Sequence, residues 1–550
     1  MNTLMRSPIR RHAHALAACV ASTALFTAAA AVADDTPTFS RDVAPILFEK
    51  CVQCHRPNQA APMSLLSYRE ARPWARGMAR AVENGDMPPW SAESEHVVFR
   101  NDLSLSAEQI ATIVDWAAGG APEGDAGDLP PAPTFPEGWT LGEPDYVLTL
   151  DRVDVPAEGP DLFPKQRIAL ELDEERWVQA IEFLPGDRRA THHFQATYTT
   201  PRRESGGPIG SGERVSEGAG GSGVFGIWTA GMPPYVFPEG TGRVLGPGTT
   251  ITMDSHYHPF GEATSDTTRI GIHFGEGELK REVATVSVAN TGIRIPPGAG
   301  HHAEEGFFQP DDDMQILAFS PHMHVRGKAM TYRIVHADGS SETLLDVPKY
   351  DYNWQWLYYP TEPIDLPASS RIEVTAVWDN SEGNPANPDP TREIIYRGDV
   401  VNEMFVGFLE IVRKDGGYHR PKDNVDKLTK LIARHPRGTS FLADGFLPIA
   451  FWTPREGEGI LYLASGLQMF TITLDDFAWS GDRLRVTTHF PTPEASAITT
   501  VIDAELDAQG ALQGTITMGA DTERPFEMKM VGQPAGRAPS TEATGAAAGE

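Results

Sequence analysis

Six side chains of the kinds that bind soft metal ions stand far apart in the middle of this 550-residue chain. They are His192, His193, His256, His322, His324 and Met404. Neutral imidazoles with one thioether are the donors that copper prefers, whereas magnesium and calcium sites are rich in carboxylates. The sequence therefore predicts a copper protein, and a fold that gathers these distant segments.

The segment that carries these side chains, from about residue 138 to 415, is a series of short alternating apolar runs broken by Gly and Pro. The whole chain has 52 Gly and 45 Pro, which fits strands and turns better than long helices. This pattern predicts a β-sandwich architecture and a mainly β fold. The length of the chain predicts three or four domains.

The spacing of the histidines bears on whether they can share a metal. Histidines two residues apart on a strand point to the same face. The pairs with this spacing are His256 with His258 and His322 with His324. The adjacent His192 and His193 would point to opposite faces, and could share a metal only at a strand end or a bend. A lone H-x-H pair is more often two hydrogen-bonded or exposed histidines, but three clusters in one module favour metal binding.

Residues 51–55 read Cys-Val-Gln-Cys-His, the pattern in which two thiols attach a haem covalently and the histidine ligates its iron. The third cysteine of the chain, Cys19, lies in the N-terminal leader. A thioredoxin-like dithiol is the alternative use of the pair. We expect one haem c held by Cys51, Cys54 and His55.

Helical patterns flank this motif. Residues Phe39 to Lys50 predict a short helix that leads into it, and Ser106 caps an amphipathic segment from Ala107 to Ala117. These segments resemble the first and last helices of a small c-type cytochrome. Residues 34–127 are therefore expected to form a small all-α cytochrome c domain.

The sixth iron ligand would be a methionine. Met87 stands in a Met-Pro-Pro-Trp sequence, where the prolines exclude a helix and can hold the thioether in a rigid loop, so we assign it this role. Met63 remains open as an alternative. Met78 lies on a predicted helix from Ala71 to Asn84 and is expected in the core. His96 could also ligate iron, although an exposed loop histidine is the simpler interpretation.

The first 33 residues have the order of a secretory signal peptide. Arg6, Arg10 and Arg11 precede an Ala-rich run from Ala15 to Ala33 that ends in a small-residue cleavage site. The mature protein should be periplasmic or secreted. The lipoprotein-like box at Cys19 lacks a preceding apolar stretch, which disfavours lipid anchoring. No other segment approaches 18 apolar residues, so we expect no membrane span.

The chain is acidic, with a net charge of −29 at pH 7 that becomes −32 without the three leader arginines. This charge argues against nucleic acid as a partner. It is consistent with a soluble exported protein, or with docking to a basic redox partner protein.

The central segment resembles the type II copper, ascorbate-dependent monooxygenases, the family of peptidylglycine α-hydroxylating monooxygenase and dopamine β-monooxygenase. The similar pieces occur in family order: His192-His193, His256-Tyr257, His322-Met323-His324 and Asn402-Glu403-Met404. The resemblance covers about residues 140–415. It implies two jelly-roll-like β-sandwich halves that face an open cleft, each with one copper ion.

The resemblance also implies separate roles for the two copper ions. The first three histidines of the set would hold a copper that stores and passes an electron. His322, His324 and Met404 would hold the copper at which O2 binds and the substrate C–H bond is attacked. His258 and the pair His301-His302 match less well and stay outside the expected ligand set. Met404 also fits the start of a buried strand.

Two positions depart from the family pattern. Peptidylglycine-type enzymes have an arginine two residues before the H-x-H pair and a tyrosine four residues after the methionine, where this chain has Ser320 and Phe408. Without the bidentate arginine, an amidated-peptide product is not expected. We expect hydroxylation of a small organic substrate by O2, with electrons from the fused haem, from ascorbate or from both. The alternative is a copper and haem electron-transfer protein without catalysis.

The predicted organisation has seven segments: a signal peptide (1–33), the cytochrome c domain (34–127), a Pro-rich linker (128–138), two copper monooxygenase sandwiches (139–290 and 291–418), a small antiparallel β domain (419–533) and a disordered tail (534–550). The small β domain is expected to begin with a short helix, from Asn424 to Arg434. No catalytic constellation is evident in it.

Overall fold

The structure is a computed structural model of the chain. It describes residues 36–93, 95–200, 222–310, 312–416, 428, 439–443, 449–455, 458–465, 468–474, 476–491, 497–508, 511–518 and 522–531. The predicted signal peptide with Cys19, the predicted helix over 424–434 apart from residue 428, and the predicted tail lie outside these residues. The described part is mainly β, as the sequence pattern predicts.

Four α-helices lie near the N-terminus: α1 (Ala44–Lys50), α2 (Tyr68–Ala71), α3 (Ala75–Asn84) and α4 (Ala107–Ala118). Short helical turns add Phe39–Val43, Arg72–Trp74 and Ala126–Asp128. The predicted cap is confirmed, because the Ser106 side chain accepts a hydrogen bond from the Gln109 backbone and the Gln109 side chain accepts one from the Ser106 backbone. The helices enclose their own core, in which the rings of Phe39 and Trp116 lie 6.1 Å apart. None of the described helices is long and apolar enough to cross a membrane.

Twelve strands follow: β1 (Tyr146–Thr149), β2 (Val153–Val155), β3 (Lys165–Ala169), β4 (Arg176–Leu184), β5 (Thr191–Thr199), β6 (Ser222–Thr229), β7 (Tyr235–Val236), β8 (Thr241–Leu245), β9 (Thr250–Tyr257), β10 (Thr264–Asp266), β11 (Arg269–Phe274) and β12 (Arg281–Glu282). One sheet has the order β3-β9-β5-β6, and another has the order β1-β11-β4-β8-β12, with β7 paired to β4. Strands β2 and β10 form a separate pair. The two larger sheets pack on each other through Phe183 and Phe194, whose rings lie 6.2 Å apart.

The next ten strands are β13 (Ala284–Asn290), β14 (Arg294–Ile295), β15 (His302–Phe308), β16 (Met314–His322), β17 (Gly327–Val335), β18 (Ser341–Val347), β19 (Ile364–Leu366), β20 (Arg371–Trp378), β21 (Ile394–Ile395) and β22 (Val406–Arg413). The sheet β19-β16-β22-β13 packs on the sheet β15-β20-β17-β18, with 5.3 Å between the rings of Phe319 and Tyr332. Strands β14 and β21 pair separately. Because β13 pairs with β22, it belongs to this second group of sheets.

The last strands are β23 (Thr439–Ala443), β24 (Ile449–Arg455), β25 (Glu458–Ser465), β26 (Gln468–Thr473), β27 (Asp476–Ser480), β28 (Arg483–Pro491), β29 (Ala497–Leu506), β30 (Leu512–Met518) and β31 (Thr522–Val531). Each pairs antiparallel with its neighbours in the order β26-β25-β24-β23-β31-β30-β29-β28-β27. A parallel pairing of β13 with β26 makes this sheet continuous with the preceding one.

A buried ion pair joins the two groups of sheets. Nη2 of Arg243 on β8 lies 2.6 Å from Oε2 of Glu410 on β22, and Nη1 donates a 3.1 Å hydrogen bond to Oγ1 of Thr285 on β13. Both charged side chains are almost fully buried. Removal of one partner would leave an uncompensated charge in the interior. Loss of either side chain would therefore destabilise the junction between the two groups of sheets.

The helical region packs directly on the second group of sheets. Nε1 of Trp356 donates a 2.6 Å hydrogen bond to the carbonyl oxygen of Pro89, and Nδ2 of Asn101 donates one of 2.7 Å to the carbonyl of Leu357. The rings of Trp90 and Tyr358 lie 4.9 Å apart, edge to face. Hydrogen bonds and aromatic packing thus hold the segment after α3 against the segment around residue 356.

Candidate metal centres and motif cavity

Three of the six singled-out side chains come together on the paired strands β5 and β9. His193 lies opposite His256 in the register, and Nδ1 of His192 lies 3.1 Å from Nδ1 of His256. One nitrogen of each of the three imidazoles lies within 4.8 Å of the others. We call His192, His193 and His256 the first histidine site.

A β-bulge explains how two adjacent histidines reach one site. The register between β5 and β9 shifts between Thr191 and His193, at the beginning of β5. A bulge adds one residue to a strand and re-aims its side chains, so the strict alternation of faces fails there. The expectation that His192 and His193 could meet only at a strand end or a bend is confirmed by this irregularity.

Asp161 fixes the orientation of His256. Oδ2 of Asp161 lies 2.7 Å from Nε2 of His256, and Oδ1 lies 2.7 Å from Nδ1 of His258. With Nε2 donating to the carboxylate, His256 turns its Nδ1 toward His192. His258 is largely exposed and contacts Asp161 instead of the three imidazoles. Asp161 could not be recognised from the sequence, because it stands in a loop without any motif spacing.

Burial keeps the imidazoles of this site uncharged. It lowers the pKa of His192 to about 4, with a further contribution from the neighbouring His256. It lowers the pKa of His193 far below its ordinary value, and also that of His256, although the Asp161 carboxylate opposes the effect on His256. Nδ1 of His193 is buried without a hydrogen-bond partner in the described part of the chain. Neutral imidazoles with an unsatisfied nitrogen are ready to accept a metal ion.

His322 and His324 form a second histidine site, at the end of β16. Their ring centroids lie 5.4 Å apart and the rings are perpendicular. Nδ1 of His322 lies 2.6 Å from Oε1 of Gln355, and Nδ1 of His324 lies 2.9 Å from the carbonyl oxygen of Asn402. Because both acceptors require a proton on Nδ1, Nε2 of each ring is the nitrogen with a free lone pair. Burial lowers the pKa of His322, and that of His324 to about 3.

Met404 belongs to the segment that contacts the second site. The pairing of β16 with β22 places His322 opposite Val406, two residues after Met404. The backbone N–H groups of His324 and Arg326 donate hydrogen bonds of 2.7 and 2.6 Å to the carboxyl of Glu403, the residue before Met404. Met404 is partly buried against the core, and its role as a metal ligand stays a prediction.

Tyr352 lies between the two histidine sites. Its ring centroid is 5.6 Å from that of His193, 6.2 Å from that of His256 and 6.0 Å from that of His324. Burial raises the pKa of its hydroxyl to about 12. The segment Tyr352–Trp356 could not be recognised from the sequence, because aromatic residues in a loop without periodicity carry no functional signal.

A cavity of about 490 Å³ opens beside the C-x-x-C-H motif. Cys51, Cys54, His55 and Met87 line it together with apolar groups that include Ala60, Pro62, Val82, Leu103 and Trp356. Burial raises the pKa of the Cys51 thiol to about 12 and that of Cys54 to about 11. A redox-active dithiol needs a lowered thiol pKa, so this environment disfavours the thioredoxin-like alternative. We call this space the motif cavity.

The remaining candidates lie elsewhere. Met63 and Met78 pack in the helical core, and Met78 is buried as expected. His96 forms a group with the exposed Glu93 and with Asp346. His302 lies on β15, where its Nε2 is 3.1 Å from Oε1 of Glu304.

The two positions that depart from the family pattern adjoin the second site. Ser320 is buried on β16, and its hydroxyl has no hydrogen-bond partner in the described residues. The Phe408 ring lies 6.3 Å from that of His322. At these two positions the chain therefore has a small hydroxyl group and an apolar ring, and neither residue carries a positive charge.

No protein-family model matches the chain, and no curated protein matches it either. The chemistry of the chain has to be inferred from the geometry of its side chains. The two histidine sites and the motif cavity are the features that carry this inference.

Proposed function

We propose that the chain is an exported dicopper monooxygenase that hydroxylates a C–H bond of a small organic substrate with O2. Electrons would come through a fused c-type haem, from ascorbate, or from both. The observation that carries the proposal is the arrangement of five neutral histidines in two separate sites, four of them buried and His192 half-buried, with a methionine segment at one of the sites. Jelly-roll-like halves around the two sites and a cytochrome c domain over residues 34–127 are part of the same proposal.

The first histidine site fits a copper ion. It offers three neutral nitrogens, one of them the unsatisfied Nδ1 of His193, and the described part contributes no cysteine or carboxylate to the group. Borderline metals with a preference for imidazole suit this donor set. Asp161 would hold His256 in the orientation that presents Nδ1, as carboxylates do for metal-bound histidines.

The second site fits a copper ion with a softer ligand set. Gln355 and the backbone of Asn402 hold His322 and His324 with Nε2 available, and Met404 belongs to the segment that contacts His324 through Asn402 and Glu403. A thioether favours copper in its reduced state over hard cations. Two histidines and one methionine leave positions open for small molecules, whereas a structural site would be fully coordinated.

The motif cavity fits a haem. Its volume of about 490 Å³ lies in the range of cofactor pockets, and its walls are largely apolar. Cys51 and Cys54 would attach the haem, and His55 and Met87 would ligate its iron. Met87 lines the cavity, whereas the alternative Met63 packs in the helical core.

When bound, the haem and copper ions would supply one-electron transfer and activation of O2. The protein's own contribution is to orient ligands and to exclude water. Gln355 and Asn402 set the tautomers of His322 and His324, and Asp161 sets that of His256. Tyr352 and Phe408 place aromatic rings beside these imidazoles, which limits access of water to the second site.

The surroundings of the second site favour a neutral substrate. Ser320 and Phe408 provide neither the bidentate donors nor the positive charge that a peptide carboxylate needs. A small aryl or alkyl molecule would make apolar contacts with Phe408. The proposal therefore specifies a small organic substrate with an unactivated or benzylic C–H bond.

One observation favours the second candidate, a copper and haem electron-transfer protein. The Tyr352 ring occupies the space between the two sites, and both His322 and His324 are less than 10% exposed. A substrate would need this ring to move. An electron carrier would function with the ring in place.

Isotope incorporation separates the two candidates. Purified, copper-loaded protein is supplied with ¹⁸O2, ascorbate and a panel of alkyl and benzylic compounds, and the products are analysed by mass spectrometry. The monooxygenase proposal predicts one ¹⁸O atom per hydroxylated product, lost in His324→Ala while the haem still becomes reduced. His258→Ala is the matched control and should retain activity. Reversible redox cycling without any labelled product would refute the monooxygenase and support the carrier.

A further inference from the structure

The motif cavity is lined by residues from two different parts of the chain, which we call its two walls. One wall carries Cys51, Cys54, His55 and Met87, and the other carries His192, Thr191, Asp161 and Trp354. His192 is a member of the first histidine site. A group that fills this cavity would therefore contact the first site directly.

The two walls approach each other closely at Gly231 and Cys54. Gly231 follows β6, and a Cβ atom at this glycine would lie only 2.7 Å from Sγ of Cys54. Its φ of +89° also favours glycine. The backbone of the β region therefore approaches the haem-attachment cysteine as closely as packing allows.

The relative position of the walls is fixed by specific contacts. Trp356 donates its 2.6 Å hydrogen bond to Pro89, two residues after Met87, and its ring lies 5.8 Å from that of Trp90. The backbone N–H of Thr361 donates a 2.9 Å hydrogen bond to the carbonyl of Val98. These contacts fix the distance between the two walls of the cavity. A domain attached only by a flexible linker would not have such a fixed position.

Trp354 is the aromatic residue that belongs to both the cavity and the first site. Its indole lines the motif cavity, and its ring centroid lies 5.9 Å from that of His192 in an edge-to-face arrangement. It is partly buried against the core. An aromatic ring that lines the cavity and lies beside His192 shortens the through-space gap that an electron would have to cross.

We infer that Trp354 is the contact through which one electron passes from a haem in the motif cavity to a copper ion at the first histidine site. This inference rests on the proposed binding of both cofactors. In the step, ferrous haem becomes ferric and cupric copper becomes cuprous, and no atom or proton is transferred. An external one-electron donor, such as a reduced redox protein, then restores the ferrous haem. Direct reduction of copper by ascorbate would not be required.

The test measures electron transfer without any substrate. Under anaerobic conditions, a photochemical donor delivers one electron per chain to the haem of protein loaded with cupric copper. Reoxidation of the haem is followed by its visible absorption, and loss of cupric copper by electron paramagnetic resonance. The wild type should show first-order haem reoxidation whose rate does not depend on protein concentration. Trp354→Leu should slow it at least tenfold, and Trp354→Phe should give an intermediate rate.

Three controls make the outcome decisive. Trp139→Leu removes a partly buried tryptophan outside the cavity and should retain the wild-type rate. The reduction potentials of haem and copper should be unchanged in Trp354→Phe, since a general structural disturbance would shift them. Cupric ion should quench tryptophan fluorescence less in Trp354→Phe than in Trp139→Leu, because Trp354 adjoins the first site.

A wild-type rate in Trp354→Leu, with both cofactors bound, would overturn this inference and leave the proposed function intact. A rate that rises with protein concentration would show transfer between molecules and would also overturn it. Failure of the wild type to bind haem or copper would overturn the proposed function itself. If Trp354→Leu does not fold, the rate of haem reoxidation in Trp354→Phe is compared with that of the wild type. A slower rate would support the inference, and an unchanged rate would overturn it.

Discussion

Nε2 of His256 lies 2.7 Å from the Oδ2 atom of Asp161, and this contact turns the opposite nitrogen of the ring toward His192. Burial raises the pKa of Asp161, but hydrogen bonds from His256 and His258 outweigh this and leave the pKa lowered, so the carboxylate is ionised at neutral pH. A charged acceptor fixes the tautomer of a metal-binding imidazole and raises its basicity.

Loss of this acceptor should weaken copper binding at the first site. We expect Asp161→Ala to reduce the affinity about 10- to 100-fold, the range typical for removal of such a partner. Competitive titration with a copper chelator measures it. His258→Ala removes the other partner of Asp161 and should change the affinity far less. Equal effects in the two variants would contradict the assigned role of Asp161.

Gln355 should have the same role at the second site. Its Oε1 accepts the 2.6 Å hydrogen bond from Nδ1 of His322. In Gln355→Leu the tautomer of the His322 imidazole is no longer fixed. We expect about 10- to 100-fold weaker copper binding at the second site, and no change at the first site. Spectroscopy that resolves the two copper ions would check this. Weakening at the first site only would contradict the assignment.

The copper-free protein should lose stability in mild acid. Folding lowers the pKa of His192 to about 4 and that of His324 to about 3, so between pH 6.5 and 4 the unfolded chain binds protons that the folded chain excludes. The contribution is fully present above pH 6.5 and is lost as the pH falls through this window. For His192 it is on the order of 3 kcal/mol. Urea unfolding of chelator-treated protein should show this loss, with a shallower slope in His192→Gln. An equal slope in that variant would contradict the prediction.

The buried pair of Arg243 and Glu410 should dominate the contact between the two groups of sheets. Glu410→Gln leaves the guanidinium without its charged partner, and we expect about 3 to 5 kcal/mol lower free energy of unfolding. The exposed pair of Lys414 and Asp365, 2.6 Å apart, provides the control, and Asp365→Asn should have little effect. Denaturant unfolding measures both. Similar small effects in the two variants would contradict the prediction.

The sequence predicted the elements better than their junctions. Alternation predicted the mainly β architecture, and Ser106 predicted the start of α4, because both are local patterns. The pairing of β13 with β22 could not be predicted, since the two strands stand more than a hundred residues apart in the chain. Long-range pairing is not encoded in a local pattern.

The same distinction applies to the sites. The histidines were recognisable by type and spacing. The bulge before His193 provides the bend that two adjacent histidines need if they are to share a metal. Asp161, Tyr352 and Trp354 were not recognisable, because they stand in turns and loops and act only through tertiary contacts. The orientation of each histidine is likewise a property of the fold.

The stoichiometry of copper and haem in the purified protein decides whether the chain holds two separate copper sites and one haem. The purified protein should bind two copper ions and one haem per chain. His193→Ala and His324→Ala should each bind one copper ion and keep the haem, because their sites are separate and the motif cavity is intact. One copper ion in the wild type, or loss of both ions in either variant, would contradict the account of two independent copper sites.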